Sequence, residues 1–118
     1  LIIADDIQQT RENIRKLLLF EPSVDVVAVA ANGEEAIKLA LLHEPDIVLM
    51  DINMPGMDGL ETYRRIIEYH PDQKSIIASG YSETGRVEEI QLLGAGEYIR
   101  KPYSMEKIGL AVKKALAI

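Results

Sequence analysis

The feature that most constrains the fold is an alternation of short apolar runs with longer amphipathic segments. Leu1–Ala4, Val24–Ala30, Ile47–Met50, Ser75–Ser79 and Tyr98–Ile99 are short and mostly β-branched or aliphatic, as buried strands are. Helical spacing lies between them. Ile14, Leu17 and Leu18 share one face of a helix running to about Phe20, and Ala36, Ile37, Ala40 and Leu41 mark a second that begins near Gly33 and Glu34. Leu60, Tyr63, Ile66 and Ile67 mark a third, with Asp58 as its N-cap, and Val87 and Ile90 a fourth that ends at Gly94. Ile108, Ala111, Val112 and Ala115 mark the last, capped by Ser104. Gly109 inside it costs about 1 kcal/mol relative to Ala and is expected to permit close packing or a partner contact. Five strands alternating with five helices imply right-handed crossovers and a parallel sheet covered on both faces. The class is therefore α/β and doubly wound. No linker, repeat or low-complexity stretch divides the chain, so residues 1–118 are read as one domain.

Composition excludes several functions. The net charge is −6, unevenly placed: residues 1–59 carry eleven acids against four bases, residues 60–118 eight against nine. An acidic chain with no basic run argues against direct nucleic-acid binding, because phosphate contacts need clustered Lys and Arg. Zero cysteine excludes disulfides, thiolate metal sites and cysteine nucleophiles, and fits a reducing compartment. The longest apolar runs fall far short of the roughly 20 residues of a spanning helix, so membrane insertion is not expected. No signal peptide is visible, and a chain that begins at Leu1 is expected to be a trimmed segment.

The chemistry becomes legible in the residues that follow the strands. Strand one runs into Asp5 and Asp6, strand three into Asp51, strand four ends at Ser79, and strand five is followed closely by Lys101. In an open parallel sheet the carboxyl ends share one edge, where ligands bind at the point of strand-order reversal. Taken singly, such an Asp is often only a turn former or cap, Ser a satisfied hydroxyl and Lys a solvated charge. Their convergence at four of the five strand ends points instead to a site. Clustered carboxylates favour either a raised pKa or a bound hard cation. Oxygen donors with no His or Cys nearby suit Mg²⁺, which takes one or two carboxylates together with phosphate oxygens. Calcium buffering is disfavoured, because the EF-hand loop spacing is absent. Carboxylate, cation, ammonium and hydroxyl together suggest phosphoryl transfer, with an Asp as nucleophile.

With these pieces in place, the chain resembles the receiver domain of two-component response regulators over essentially its whole length. The matching stretches are Asp5-Asp6, then Leu49-Met50-Asp51-Ile52-Asn53-Met54-Pro55-Gly56-Met57-Asp58-Gly59, Ser79-Gly80 and Lys101-Pro102. The first half is similar to chemotaxis-type and ATPase-linked receivers, and Ile76–Leu116 is more similar to receivers of hybrid sensor kinases. The resemblance implies a flavodoxin-like (βα)5 domain with a five-stranded parallel sheet in the order 2-1-3-4-5. Asp51 would accept a phosphoryl group from a phosphohistidine of a histidine kinase or phosphotransfer protein. Asp6, Asp51 and the backbone carbonyl of Asn53 would hold Mg²⁺ (or Mn²⁺ in its place), with Asp5 acting partly through water. Lys101 would pair with Asp51 and then with the phosphoryl group. Ser79 would be the switch hydroxyl and Tyr98 the aromatic whose rotamer follows it. Pro55, Gly59 and Pro102, the last after a cis bond, would be supporting residues. Output would pass through the face of the fourth helix, fifth strand and fifth helix, to an output domain, a downstream protein or a second copy. The setting would be cytoplasmic. Tyr81 is expected to restrict attacking water and prolong the phosphorylated state.

Two other classes compete. A haloacid-dehalogenase-like aspartyl phosphatase needs a second Asp two residues after its nucleophile, where this chain has Asn53. A flavodoxin-like FMN-binding module needs a Ser/Thr/Gly-rich phosphate loop after strand one, where Asp5-Asp6-Ile7-Gln8-Gln9 would repel phosphate. Dinucleotide binding fails because Gly94-Ala95-Gly96 precedes a strand and lacks the third glycine. A purely structural pseudo-receiver is disfavoured by the full set of acidic, hydroxyl and lysine positions. His43 and His70 fall at helix ends and read as surface or terminal residues.

Overall fold

A computed structural model describes residues 1–22, 24–79, 88, 89, 92, 94, 97–100 and 104–116. Five strands, β1 (Ile2–Ala4), β2 (Ala28–Ala30), β3 (Ile47–Asp51), β4 (Lys74–Ser79) and β5 (Glu97–Arg100), form one parallel sheet in the order β2-β1-β3-β4-β5. The described helices are α1 (Gln8–Leu18), α2 (Gly33–His43), α3 (Gly59–Tyr69) and α4 (Met105–Leu116). Glu88, Glu89 and Leu92 are also helical; Val87 and Ile90, which mark the predicted fourth helix, lie outside the described residues.

The strand period of two sorts the core into opposite faces. Val48 and Met50 of β3 and Ile77 of β4 pack with Ala36 of α2 and with Leu60 and Tyr63 of α3. Ile47 and Leu49 of β3 and Ile76 of β4 pack instead with Ile14 and Leu18 of α1 and with Ile108, Val112 and Ala115 of α4. Every residue of β3 is buried, which explains why its sequence is an unbroken apolar run rather than an alternation. Burying each such side chain contributes roughly 1.5–3 kcal/mol. The expected caps are present: Asp58 Oδ1 accepts from Glu61 N–H at 3.0 Å, and Ser104 Oγ accepts from Lys107 N–H at 3.2 Å. Asn32, not singled out in the sequence, caps α2 by accepting from Glu35 N–H at 2.9 Å.

Two boundaries and one packing expectation differ from the sequence reading. β2 is confined to Ala28–Ala30, paired in register with Ile2–Ala4 of β1. The preceding residues still follow the chain of β1, through Val27 N–H to the Leu1 carbonyl at 3.0 Å and the Leu1 amine to the Asp25 carbonyl at 2.9 Å. α1 ends at Leu18, leaving Leu19 and Phe20 exposed in the turn that follows. Gly109 is not forced by packing, since a Cβ there would meet Glu21 Oε2 at an ordinary 3.6 Å. Among the described residues no helix is long and apolar enough to cross a membrane.

Two outcomes are expected. Gly109→Ala should stabilise the chain by about 0.5–1 kcal/mol, read from the urea midpoint at constant slope, because helix propensity improves with no clash. A second outcome concerns Tyr63, whose burial pushes its phenol pKa above the ordinary 10.0. As pH rises past 10 the unfolded chain loses this proton before the folded chain does, so stability falls between the unfolded and folded values. Tyr63→Phe should make the urea midpoint fall less steeply above pH 10, and an unchanged slope would contradict this coupling.

Candidate functional site: an acidic pocket at the carboxyl edge of the sheet

Parallel pairing places Ala4 of β1 beside Met50 of β3, so the next residues, Asp5 and Asp51, emerge side by side. Both are almost fully buried, at 1% and 4% exposure, whereas Asp6 is exposed. One carboxylate oxygen from each of Asp5, Asp6 and Asp51 lies within 4.8 Å of the others. Two like charges at that separation repel by about 3–4 kcal/mol at an effective dielectric near 20. The backbone aims the two buried acids in the same way. Asp5 Oδ1 accepts from Ile7 N–H at 2.9 Å, and Asp51 Oδ1 accepts from Asn53 N–H at 3.1 Å. In each case the donor lies two residues on, so a local turn orients the carboxylate.

The surrounding chain holds this edge closed. Asp5 N–H continues the sheet ladder to the Ala30 carbonyl at 3.1 Å, and Ile52 N–H does the same to the Ala78 carbonyl at 2.9 Å. Gly59 opens α3 and donates its N–H to the Ile52 carbonyl at 2.9 Å. A Cβ on Gly59 would lie 2.7 Å from both the Asp51 carbonyl oxygen and Ile52 Cα, so only glycine lets α3 begin this close to the end of β3. Arg11, which the sequence analysis did not single out, donates from Nη1 to the Asp5 carbonyl at 2.7 Å. Residue pattern gave no signal for it, because its partner is a backbone carbonyl.

The remaining expected residues fall as follows. Ser79 is fully buried as the last residue of β4, one step past Ala78, the register partner of Asp51. Tyr98 of β5 is half-buried, pairs in register with Ile77 and packs against the α2/α3 face of the core. Asn53 and Pro55 are exposed on the loop after β3. Lys101, Pro102, Gly80 and Tyr81 lie outside the described residues. His43 ends α2 and His70 follows α3, away from the acidic edge as expected.

The donor set fits a small hard cation. All three donors are carboxylate oxygens, two from buried residues and one from an exposed residue, and oxygen donors of this kind suit Mg²⁺. Comparisons with known proteins agree on the setting. The family described as the response regulator receiver domain matches residues 1–113. The chain belongs to that family. The receiver is 37% identical over 115 residues to the chemotaxis protein CheY of Listeria monocytogenes, covering 98% of this chain and 96% of that protein. It is 36% identical over 113 residues to the transcriptional regulatory protein DegU of Brevibacillus brevis, but covers only 48% of that protein. The chain thus spans about half the length of this regulator. In structure it superposes on a chain of the CheX–CheY–BeF3–Mg²⁺ complex of Borrelia burgdorferi with a TM-score of 0.90 at 29% identity, covering 98% of this chain and 87% of that one.

Gly59→Ala in this receiver is expected to lower stability by about 1–3 kcal/mol through overpacking. It should also shift the amide resonances of Asp51 and Ile52 more than those of the distant residues Ile108 and Val112. A neutral effect on both would show that the helix start can retreat from the strand end without disturbing it.

Proposed function

We propose that this receiver accepts a phosphoryl group on Asp51 from a phosphohistidine of a histidine kinase or phosphotransfer protein, and relays the change to a protein partner. The observation that carries the reading is the Asp5, Asp6 and Asp51 cluster at one sheet edge. Asp51 is the proposed nucleophile because it combines burial at the end of β3 with a carboxylate aimed by Asn53 N–H. In the transfer, an Asp51 oxygen attacks phosphorus, the phosphorus–nitrogen bond breaks with its electron pair returning to the imidazole, and an acyl phosphate results. Asp6, Asp51 and the Asn53 carbonyl, with Asp5 acting partly through water, would hold Mg²⁺ or Mn²⁺, which would supply positive charge against the phosphoryl oxygens.

Other residues answer the added charge. Phosphorylation brings about −1.5 to −2 charge and three acceptor oxygens. Lys101, following β5 in sequence, is assigned by family resemblance to pair with those oxygens, and the Ser79 hydroxyl to donate to one of them. Ser79 and Tyr98 face the same side of the sheet, two residues apart in register on adjacent strands, so a shift at Ser79 bears on the packing of Tyr98. The affected surface is the face of β5, α4 and the helical residues Glu88, Glu89 and Leu92. Its proposed partners are an output domain, a downstream protein or a second copy of the chain. Pro55 and Pro102, the latter after a cis bond, are assigned supporting roles on the same resemblance. The proposed setting is the cytoplasm, consistent with a chain that has no cysteine to oxidise. Residues 1–118 are proposed to act as one receiver module.

The test is intact mass after incubation with acetyl phosphate, with and without Mg²⁺. A single phosphoryl adduct should form only with Mg²⁺ and should vanish in Asp51→Asn. An adduct that survives that substitution, or that forms equally without the metal, would falsify the assignment. A copurifying FMN chromophore would favour the flavodoxin-like rival.

A further inference from the structure

We infer that Arg11 is a positioning residue for the divalent-cation site, acting through the peptide unit that joins Asp5 to Asp6. The inference deepens the proposed function and rests on it. Asp5 is gripped through each part of its structure. Its N–H donates to the Ala30 carbonyl at 3.1 Å, its Oδ1 accepts from Ile7 N–H at 2.9 Å, and its carbonyl accepts from Arg11 Nη1 at 2.7 Å. The first two contacts hold the strand end and the Asp5 carboxylate. The third falls on the peptide plane whose other end is the backbone nitrogen of Asp6.

Asp6 needs such help more than its neighbour does. It is exposed, whereas Asp5 and Asp51 are buried and held by their surroundings. The direction of an exposed side chain on a short loop follows from its backbone, and here that backbone is the plane Arg11 holds. The start of α1 lacks the usual side-chain fastening: Ile7 occupies the N-cap position without a side-chain hydrogen bond, and the first turn carries no acid. Arg11 closes the loop twice, since its own N–H also donates to the Ile7 carbonyl at 3.1 Å. A charged donor on a neutral carbonyl is among the stronger hydrogen bonds, and the planar guanidinium is half-buried beside the pocket.

The competing role for this arginine is electrostatic, as a positive charge that eases crowding among three carboxylates. The two roles predict opposite signs. If Arg11 only offsets charge, removing it leaves the pocket more negative and Mg²⁺ binds more tightly. If it positions Asp6, removing it lets the loop wander and Mg²⁺ binds more weakly. Loss of groups that orient metal ligands commonly costs about 10–100-fold in affinity.

The experiment is calorimetric titration of the unphosphorylated chain with Mg²⁺ alone at fixed ionic strength, for the parent, Arg11→Met and Arg11→Lys. Met keeps the apolar stem without donors, and Lys keeps the charge without the planar fork. Affinity should fall in the order parent, Lys variant, Met variant, with the Met variant weakened about tenfold. A Met variant that binds as tightly as the parent, or more tightly, overturns the inference. If the Met variant does not fold, the Lys variant decides: a several-fold rise in Kd supports positioning, and a Kd equal to the parent's overturns it. A parent chain that does not bind Mg²⁺ at all removes the cation site itself and with it the proposed function. That failure is distinct from an Arg11 result obtained on a parent that binds.

Discussion

The crowding of three carboxylates at the end of two adjacent strands is the constraint around which the rest of this structure is arranged. The register of β1 against β3 brings Asp5 beside Asp51, and their carboxylates converge with that of Asp6. Left alone, such a cluster opposes folding. The chain meets the cost by surrounding the buried acids with donors fixed by backbone geometry. Ile7 and Asn53 each offer an N–H from two residues on, and the remaining repulsion favours a cation. The cluster is thus a folding liability and suited to a cation for the same electrostatic reason.

The elements beyond the pocket serve that arrangement. Strand β3 is buried over its whole length, so its last residue is delivered to a fixed depth. Gly59 lets α3 begin against the strand that carries Asp51, and Asp58 caps the same helix, so the loop from Asn53 to Gly59 is tied at both ends. Ser79 ends β4 one strand further out, and Tyr98 sits diagonally across from it on β5. A change at the acidic edge therefore has packed side chains to act on, extending toward the edge of the sheet. In a close-packed interior such displacements are shared among neighbours rather than absorbed.

Much of this was legible in the sequence. The unbroken run Ile47-Val48-Leu49-Met50 could only be a buried strand beside these flanking turns, and Asp58 before Gly59 announced a helix start. The residues that follow the strands were readable as a site because a parallel sheet gathers its carboxyl ends. Arg11 was not readable, since a basic residue on an amphipathic helix is ordinarily a solvated charge and its partner is a backbone carbonyl, which has no residue signature. The length of β2 was overread: Val24–Val27 has strand composition, but the ladder with β1 spans only Ala28–Ala30, and Asp25 and Val27 bond to Leu1 outside it.

Periodicity and strand-end chemistry in the sequence by themselves determined the fold class, the acids of the pocket and their order along the chain. These follow from local side-chain chemistry, which each residue carries with it. Only the tertiary structure decided that Asp5 and Asp51 are buried while Asp6 is exposed, that Asp5 is held through its carbonyl by Arg11, and that Gly59 is required while Gly109 is not. Each of those depends on which backbone atoms lie within a few ångströms, a distance between remote segments that no residue encodes alone.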